Sequence, residues 1–145
     1  YKDKKKSEET FREVNGIRYS FPGDYAKLEE DGTITLLGRG SNCINSAGEK
    51  IYPEEVEEAL KRNDEIFDCL VVGVDDKKFG QRVVAIVSTE KDKNISEDAL
   101  IESTRQFIAG YKLPKEIIFV DEVQRAPNGK ANYKWAKSIA VQNNV

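Results

Sequence analysis

Two runs constrain the fold more than anything else in the chain: DCLVVGV at residues 68–74 and RVVAIVST at residues 82–89. Both are short and rich in valine and isoleucine. Between them lies Asp75-Asp76-Lys77-Lys78-Phe79-Gly80, a turn-forming segment. Branched side chains suit a pleated surface, so the runs read as neighbouring buried strands. Helical patterns flank them. Pro53 suits a first helical position, and Glu54, Glu55, Glu57 and Glu58 favour the positive helix start. Val56, Ala59 and Leu60 share a face, while Lys61 and Arg62 suit the last turn. Ser96 caps a helix expected to run through Ala109, with Leu100, Ile101, Thr104, Phe107 and Ile108 inward and Gly110 stopping it. Residues 115–120, behind Leu113-Pro114, read as a third strand. Residues 124–131 form a polar loop, and residues 133–141 a final helix expected to bury Trp135 and Ile139. The order from Tyr52 is helix, strand, strand, helix, strand, loop, helix. It describes an α+β domain with a three-stranded sheet packed by helices.

Ahead of that domain the character differs. Residues 43–45 and 49–51 read as two short strands around the Ala47-Gly48 turn, a leading two-stranded hairpin. Ser7-Glu8-Glu9-Thr10 reads as a short helical turn introducing Phe11 and Val14. Asn15-Gly16 is a turn signal, and Ile17 with Tyr19 alternates as a strand. Phe21-Pro22-Gly23-Asp24 bends the chain. Residues 25–28 and 33–37 then pair as a hairpin across Glu29-Glu30-Asp31-Gly32. Residues 1–38 hold no helix long enough to cover a sheet and are expected to need a further domain to pack against. Gly38-Arg39-Gly40 marks the change.

The 145 residues suit one core plus an attached piece. The net charge of −3 argues against nucleic-acid binding, which needs a basic surface. The one basic run, Lys4-Lys5-Lys6, is offset by Glu8 and Glu9. With no histidine and only Cys43 and Cys69, the chain cannot by itself build a zinc site, a Ser-His-Asp triad or a Cys-His pair. Cys69 leads an apolar run, where a reduced core thiol fits. No apolar stretch reaches the roughly 20 residues that span a bilayer, and no signal-peptide pattern opens the chain. The start at Tyr1 without methionine suggests a fragment, and a cytoplasmic location is expected.

Three constellations could carry chemistry. Asp24, at the end of a tight turn, can accept hydrogen bonds from vicinal hydroxyls such as those of a ribose, or bond its own backbone. Arg39, between two glycines, can bond ribose or phosphate oxygens, or be an ordinary surface arginine. In Ala126-Pro127-Asn128-Gly129-Lys130, Asn-Gly makes a type I′-like turn stiffened by Pro127, which holds Lys130 at a loop tip. That lysine is either a soluble tip or a partner for an anion.

Taken together, Asp24, Gly38-Arg39, residues 48–57 and Pro127-Asn128-Gly129-Lys130 resemble the adenylate-forming superfamily of acyl-CoA synthetases, luciferases and peptide-synthetase adenylation domains. The wording GEKIYPEEVEEAL, with RAPNGK later, looks most like bacterial fatty-acyl-CoA ligases. The resemblance implies that residues 1–40 end a large N-terminal ATP-binding domain and that residues 41–145 are the mobile C-terminal domain. It implies that Asp24 and Arg39 hold the ATP or AMP ribose and that Ser41 is the hinge. It implies too that Gly48 and Glu49 line the pantetheine channel and that Lys130 reaches the α-phosphate and the substrate carboxylate. The implied reaction joins a carboxylic or fatty acid to CoA through an acyl-adenylate. ATP and CoA are its cofactors, and Mg2+ is held mainly by the N-terminal domain. Neither nucleic acid nor a transmembrane segment is expected. The family usually has threonine where Pro22 stands and aspartate or lysine where Ser41 stands. Two other readings remain: an acyl-AMP ligase that loads a carrier protein, and a non-catalytic binding or regulatory module.

Overall fold

The structure is a computed structural model that describes residues 3–21 and 23–143; Tyr1 and the Pro22 of the expected bend lie outside the described residues. Backbone contacts divide the chain into two units, Tyr1–Ser41 and Asn42–Val145.

The first unit opens with helix α1, Lys4–Thr10, whose N-cap Asp3 accepts a hydrogen bond from the Lys6 amide at 3.0 Å. The basic run therefore lies on an exposed helical turn, and Phe11 and Val14 belong to a strand. That strand, β1 (Phe11–Val14), pairs antiparallel with β2 (Ile17–Ser20). Asn15 (φ 52°) and Gly16 (φ 77°) make the left-handed turn that joins them. A second hairpin joins β3 (Asp24–Leu28) to β4 (Ile34–Arg39). Leu28, Ile34 and Leu36 are 72%, 70% and 67% exposed, so among the described residues of this unit none covers the apolar side of that hairpin.

The second unit is the α+β domain. Strands β5 (Ile44–Ser46) and β6 (Glu49–Ile51) lead into helix α2 (Pro53–Leu60). The long hairpin β7 (Ile66–Asp76) and β8 (Gly80–Thr89) follows, then α3 (Glu97–Thr104), β9 (Glu116–Phe119) and α4 (Tyr133–Gln142). β8 is central: β7 lies antiparallel on one edge, and β9 lies parallel beside Val84–Val87 on the other. The leading hairpin is continuous with this sheet, because β5 also reaches β8 through Ser46 and Gly80. The sheet accordingly has five strands, not three plus a separate pair.

Both faces of the β7–β8 hairpin are covered, which is why its sequence is apolar without alternation. Cys69, Val71, Val83, Ala85 and Val87 join Val56, Leu60 and Leu100 in one cluster. Leu70, Val72, Val74, Val84 and Ile86 join Ala136 and Ala140 in the other. Cys69 is a free, fully buried thiol, as its place in the run implies.

Two helices differ from expectation. α3 ends at Thr104 and not at Ala109: the Arg105 amide is shared between the Ile101 and Glu102 carbonyls at 3.1 and 3.3 Å, and the Phe107 amide turns to the Thr104 carbonyl at 3.0 Å, a tightened last turn that closes the helix. Phe107 is consequently exposed, with the Arg62 guanidinium 4.9 Å from its ring centre. In α4 the fully buried positions are Ala136 and Ala140; Trp135 and Ile139 are only partly buried against the same cluster. Small side chains let the helix axis approach the sheet, and the bulky ones pack at the flanks.

Candidate functional site

Asp24 and Arg39 face each other in the β3–β4 register, and the Arg39 Nε donates to Asp24 Oδ1 at 3.2 Å. A register shift between Tyr25 and Ala26 leaves Leu37 unmatched, and Gly38, at φ 91°, takes the left-handed conformation that returns the strand to pairing. Gly40 has a different task. A Cβ there would come 2.6 Å from Tyr25 Cε2, so the second glycine makes room for the ring. Asp24 lines an open groove of about 670 Å³ with Lys6, Arg12, Phe21 and Tyr25. The carboxylate keeps an acceptor oxygen and the guanidinium keeps further N–H donors, a pairing that suits vicinal hydroxyls.

Ser41 lies within the 3-10 turn Gly40–Asn42, where the two units divide. The β5–β6 turn has Ala47 at φ 51° and Gly48 at φ 86°. The Ala47 amide donates to the Phe79 carbonyl at 2.7 Å, which ties this turn to the β7–β8 turn. Glu49 is exposed beside it.

Lys130 stands on a closed loop. The Gly129 amide donates to the Ala126 carbonyl at 2.8 Å, and the Ala126 amide to the Lys130 carbonyl at 2.9 Å. Gly129 has φ 77°, whereas Asn128 is not left-handed. The turn is therefore type I over Pro127-Asn128 with a glycine bulge, and not type I′ at Asn128-Gly129. Proline's fixed φ suits the second position of a type I turn, so the expected stiffening holds on a different geometry. Asn128 Oδ1 accepts from the Lys130 amide at 3.2 Å, and the lysine itself is exposed.

These two loops lie at opposite ends of the β7–β8 hairpin. The Gly48 turn adjoins Phe79 and Gly80. The Lys130 loop is tied through Arg125 to Asp68, which pairs with Ser88 at the far end. Asp68 and Asp76 are eight positions apart on β7, about 26 Å along an extended strand.

Four residues of this region went unremarked as a site in the sequence: Glu57, Asp68, Arg125 and Tyr133. Arg125 Nε and Nη2 donate to the two Asp68 oxygens, each at 2.6 Å, and Nη1 reaches the Gly129 carbonyl at 3.3 Å. Burial pushes the Asp68 carboxyl up, but hydrogen bonding and charge from Arg125 more than reverse it and leave it below its ordinary value. Hydrogen bonding to Asp68 in turn raises Arg125. Glu57 reads as one of four helix-start acids, yet it is only 7% exposed. Its Oε1 accepts from the Val71 amide at 2.9 Å, and Tyr133 Oη donates to Oε2 at 3.4 Å. Burial is the main reason its carboxyl is pushed up from 4.5 to about 7, with Glu54 adding repulsion. Tyr133 is raised as well, by burial first and then by Glu57. A signal for Glu57 existed: Pro53, Val56, Glu57 and Leu60 follow the i, i+3, i+4, i+7 stripe, so the acid occupies an inward position.

The profile of the AMP-binding enzyme C-terminal domain family matches residues 55–130. The 3-oxocholest-4-en-26-oate–CoA ligase of Rhodococcus rhodochrous is 58% identical over 137 residues, which are 94% of this chain and 25% of that protein. The medium/long-chain-fatty-acid–CoA/3-oxocholest-4-en-26-oate–CoA ligase of Mycobacterium tuberculosis H37Rv has the same identity and the same coverage of both chains. Among solved structures, o-succinylbenzoate CoA synthetase from Bacillus subtilis, bound to its acyl-adenylate intermediate, superposes with a TM-score of 0.77. It is 31% identical, over 90% of this chain and 26% of that one. The chain thus spans about a quarter of the length of the relatives it matches.

Proposed function

The chain belongs to the AMP-binding enzyme C-terminal domain family, and from that premise we propose that it is the C-terminal part of an ATP-dependent acyl-CoA synthetase. The inferred reaction has two halves. A carboxylate attacks the α-phosphate of ATP to give acyl-adenylate and pyrophosphate; the CoA thiol then displaces AMP to give acyl-CoA. The two curated relatives reported above are named as acid–CoA ligases, which favours CoA over a carrier protein as acceptor, and a fatty or sterol-derived acid as substrate.

The observation that carries this reading is the separation of the two loops. Lys130, on a closed turn, offers positive charge at one end of the hairpin. The Gly48 turn offers bare backbone at the other. Adenylation brings one anion to another and needs a fixed cation, whereas thioester formation needs a path for pantetheine. A small domain that presents each end in turn, pivoting at Ser41, meets both needs. Asp24 and Arg39 stay with the ribose in this scheme, and Glu49 flanks the channel. Mg2+ and most contacts to ATP fall to the preceding domain, and a cytoplasmic location suits these substrates.

The test is direct. The full-length protein carrying this chain, given ATP, Mg2+, a panel of fatty and sterol-derived acids, and CoA, is expected to release AMP and pyrophosphate and form acyl-CoA. The 145-residue chain alone is expected to do neither, nor to bind ATP at submicromolar concentration in calorimetry. Transfer to a holo-carrier protein but not to CoA would establish the acyl-AMP ligase instead. No pyrophosphate with any acid would leave only a binding module.

A further inference from the structure

We propose that Arg125 is the positioning residue for Lys130, with Asp68 as its anchor; this rests on the reading of Lys130 as the adenylation lysine. The loop Ala126–Lys130 is closed on itself by its own backbone, but closure alone does not fix its direction relative to the sheet. Arg125 supplies that direction. Its side chain spans the gap between the loop and the central hairpin, with two donors on Asp68 and a third on the carbonyl of Gly129, the residue that precedes Lys130. Its backbone also bridges to Ala131, immediately after Lys130. Contacts from Arg125 therefore bracket the lysine on both sides.

The anchor is itself held. Asp68 lies in β7 beside Ser88, its Oδ1 accepts from the Cys69 amide at 2.9 Å, and its carbonyl accepts from the Ser88 hydroxyl at 3.3 Å. The ion pair is partly shielded, with side chains 33% and 16% exposed for Arg125 and Asp68. Geometry matters more here than charge. A planar guanidinium offers its donors in a fixed fork, and a lysine ammonium at this position cannot meet both carboxylate oxygens and the Gly129 carbonyl in that fixed arrangement. A displacement of about 1 Å in a group that stabilises a transition state can lower a rate about 10²-fold. Losing the brace is therefore expected to act on kcat of adenylation, with little effect on KM for ATP.

The experiment uses the full-length enzyme and reads both half-reactions: pyrophosphate release from ATP and acid, and thioester formation from supplied acyl-adenylate. Arg125→Gln is expected to lower adenylation kcat about 10- to 100-fold and to leave the thioester half within about twofold. Arg125→Lys is expected to recover only part of the loss. On a Lys130→Ala background, Arg125→Gln is expected to add nothing, because a brace has no work without the group it positions. Should Arg125→Gln fail to fold, Asp68→Asn removes the charge of the anchor while keeping its shape, and the same pattern is expected. Equal losses in both halves, an unchanged adenylation rate, or multiplying losses in the double variant would overturn the proposal. If Lys130→Ala suppresses adenylation and Arg125→Gln does not, this inference falls alone. If Lys130→Ala leaves adenylation intact, the lysine reading falls with it.

Discussion

Replacing Lys130 with alanine in the full-length protein is expected to lower acyl-adenylate formation about 10²–10³-fold while thioester formation from supplied adenylate stays near its original rate. The magnitude follows from charge at close range. A cation about 4 Å from developing negative charge, at an effective dielectric near 20, is worth roughly 4 kcal/mol. That benefit requires the ammonium to be in place before the reaction starts. The Pro127-Asn128 turn and the two loop hydrogen bonds supply this preorganisation, since they fix the backbone from which the side chain extends. The selectivity follows from the distance along β7 between this loop and the Gly48 turn. One rigid hairpin does not hold both of its ends at a single reacting centre, so the lysine is expected to take no part in the second half. Rapid-quench measurement of labelled AMP and adenylate separates the two steps. A comparable loss in both would mean that Lys130 supports folding or docking and not the chemistry.

The sequence and the structure agree where the controlling physics is local. Valine and isoleucine runs made β7 and β8 legible, Pro53 and its acidic neighbours located α2, and Ser96 placed the start of α3. Disagreement arises where distant groups compete. The end of α3 lies where the Arg105 and Phe107 amides turn to carbonyls three residues back, and propensity does not encode that choice. Docking of β5 on β8 rests on Ser46 meeting Gly80, a pairing across 34 positions that no short-range pattern announces. The same holds for the site. Asp24, Arg39 and Lys130 stand out because turn residues surround them, and Asp24 with Arg39 also proves to be a contacting pair. Asp68 and Arg125 are separated by 57 residues, and each alone looks like a surface charge. Their partnership is a property of the folded sheet. The turn at Lys130 was half legible: Asn-Gly announced a reversal, but Pro127 decides its type by favouring the second position of a type I turn.

The Glu57 carboxyl gives the second large effect, and its sign is opposite to that of most buried acids held by a cation. Its folded-state value is raised from 4.5 to about 7, chiefly because burial penalises the charge, and Glu54 adds repulsion. The Val71 amide, the Tyr133 hydroxyl and Lys61 oppose the rise and do not cancel it. Below pH 4.5 the native and unfolded chains both carry the proton. Between pH 4.5 and 7 the native chain keeps a proton that the unfolded chain has lost, so rising pH favours unfolding across this window. Above about pH 7 the loss is complete and constant. At about 1.4 kcal/mol per unit, the total is about 3 kcal/mol. Asp68 does not mask this trend, because its carboxyl is lowered and its contribution is lost only as pH falls below the window. Glu57→Gln keeps an oxygen for the Val71 amide and presents an amide to Tyr133, but it does not ionise. Urea unfolding of the 145-residue chain, followed through Trp135 fluorescence, should therefore show the variant gaining about 3 kcal/mol on the parent between pH 4.5 and 7.5. The gain should appear as a slope within that window and a plateau above it. A difference that stays flat across the window, or one that grows as pH falls, would show that Glu57 is ionised in the folded chain and that the Val71 and Tyr133 contacts suffice to hold a buried charge.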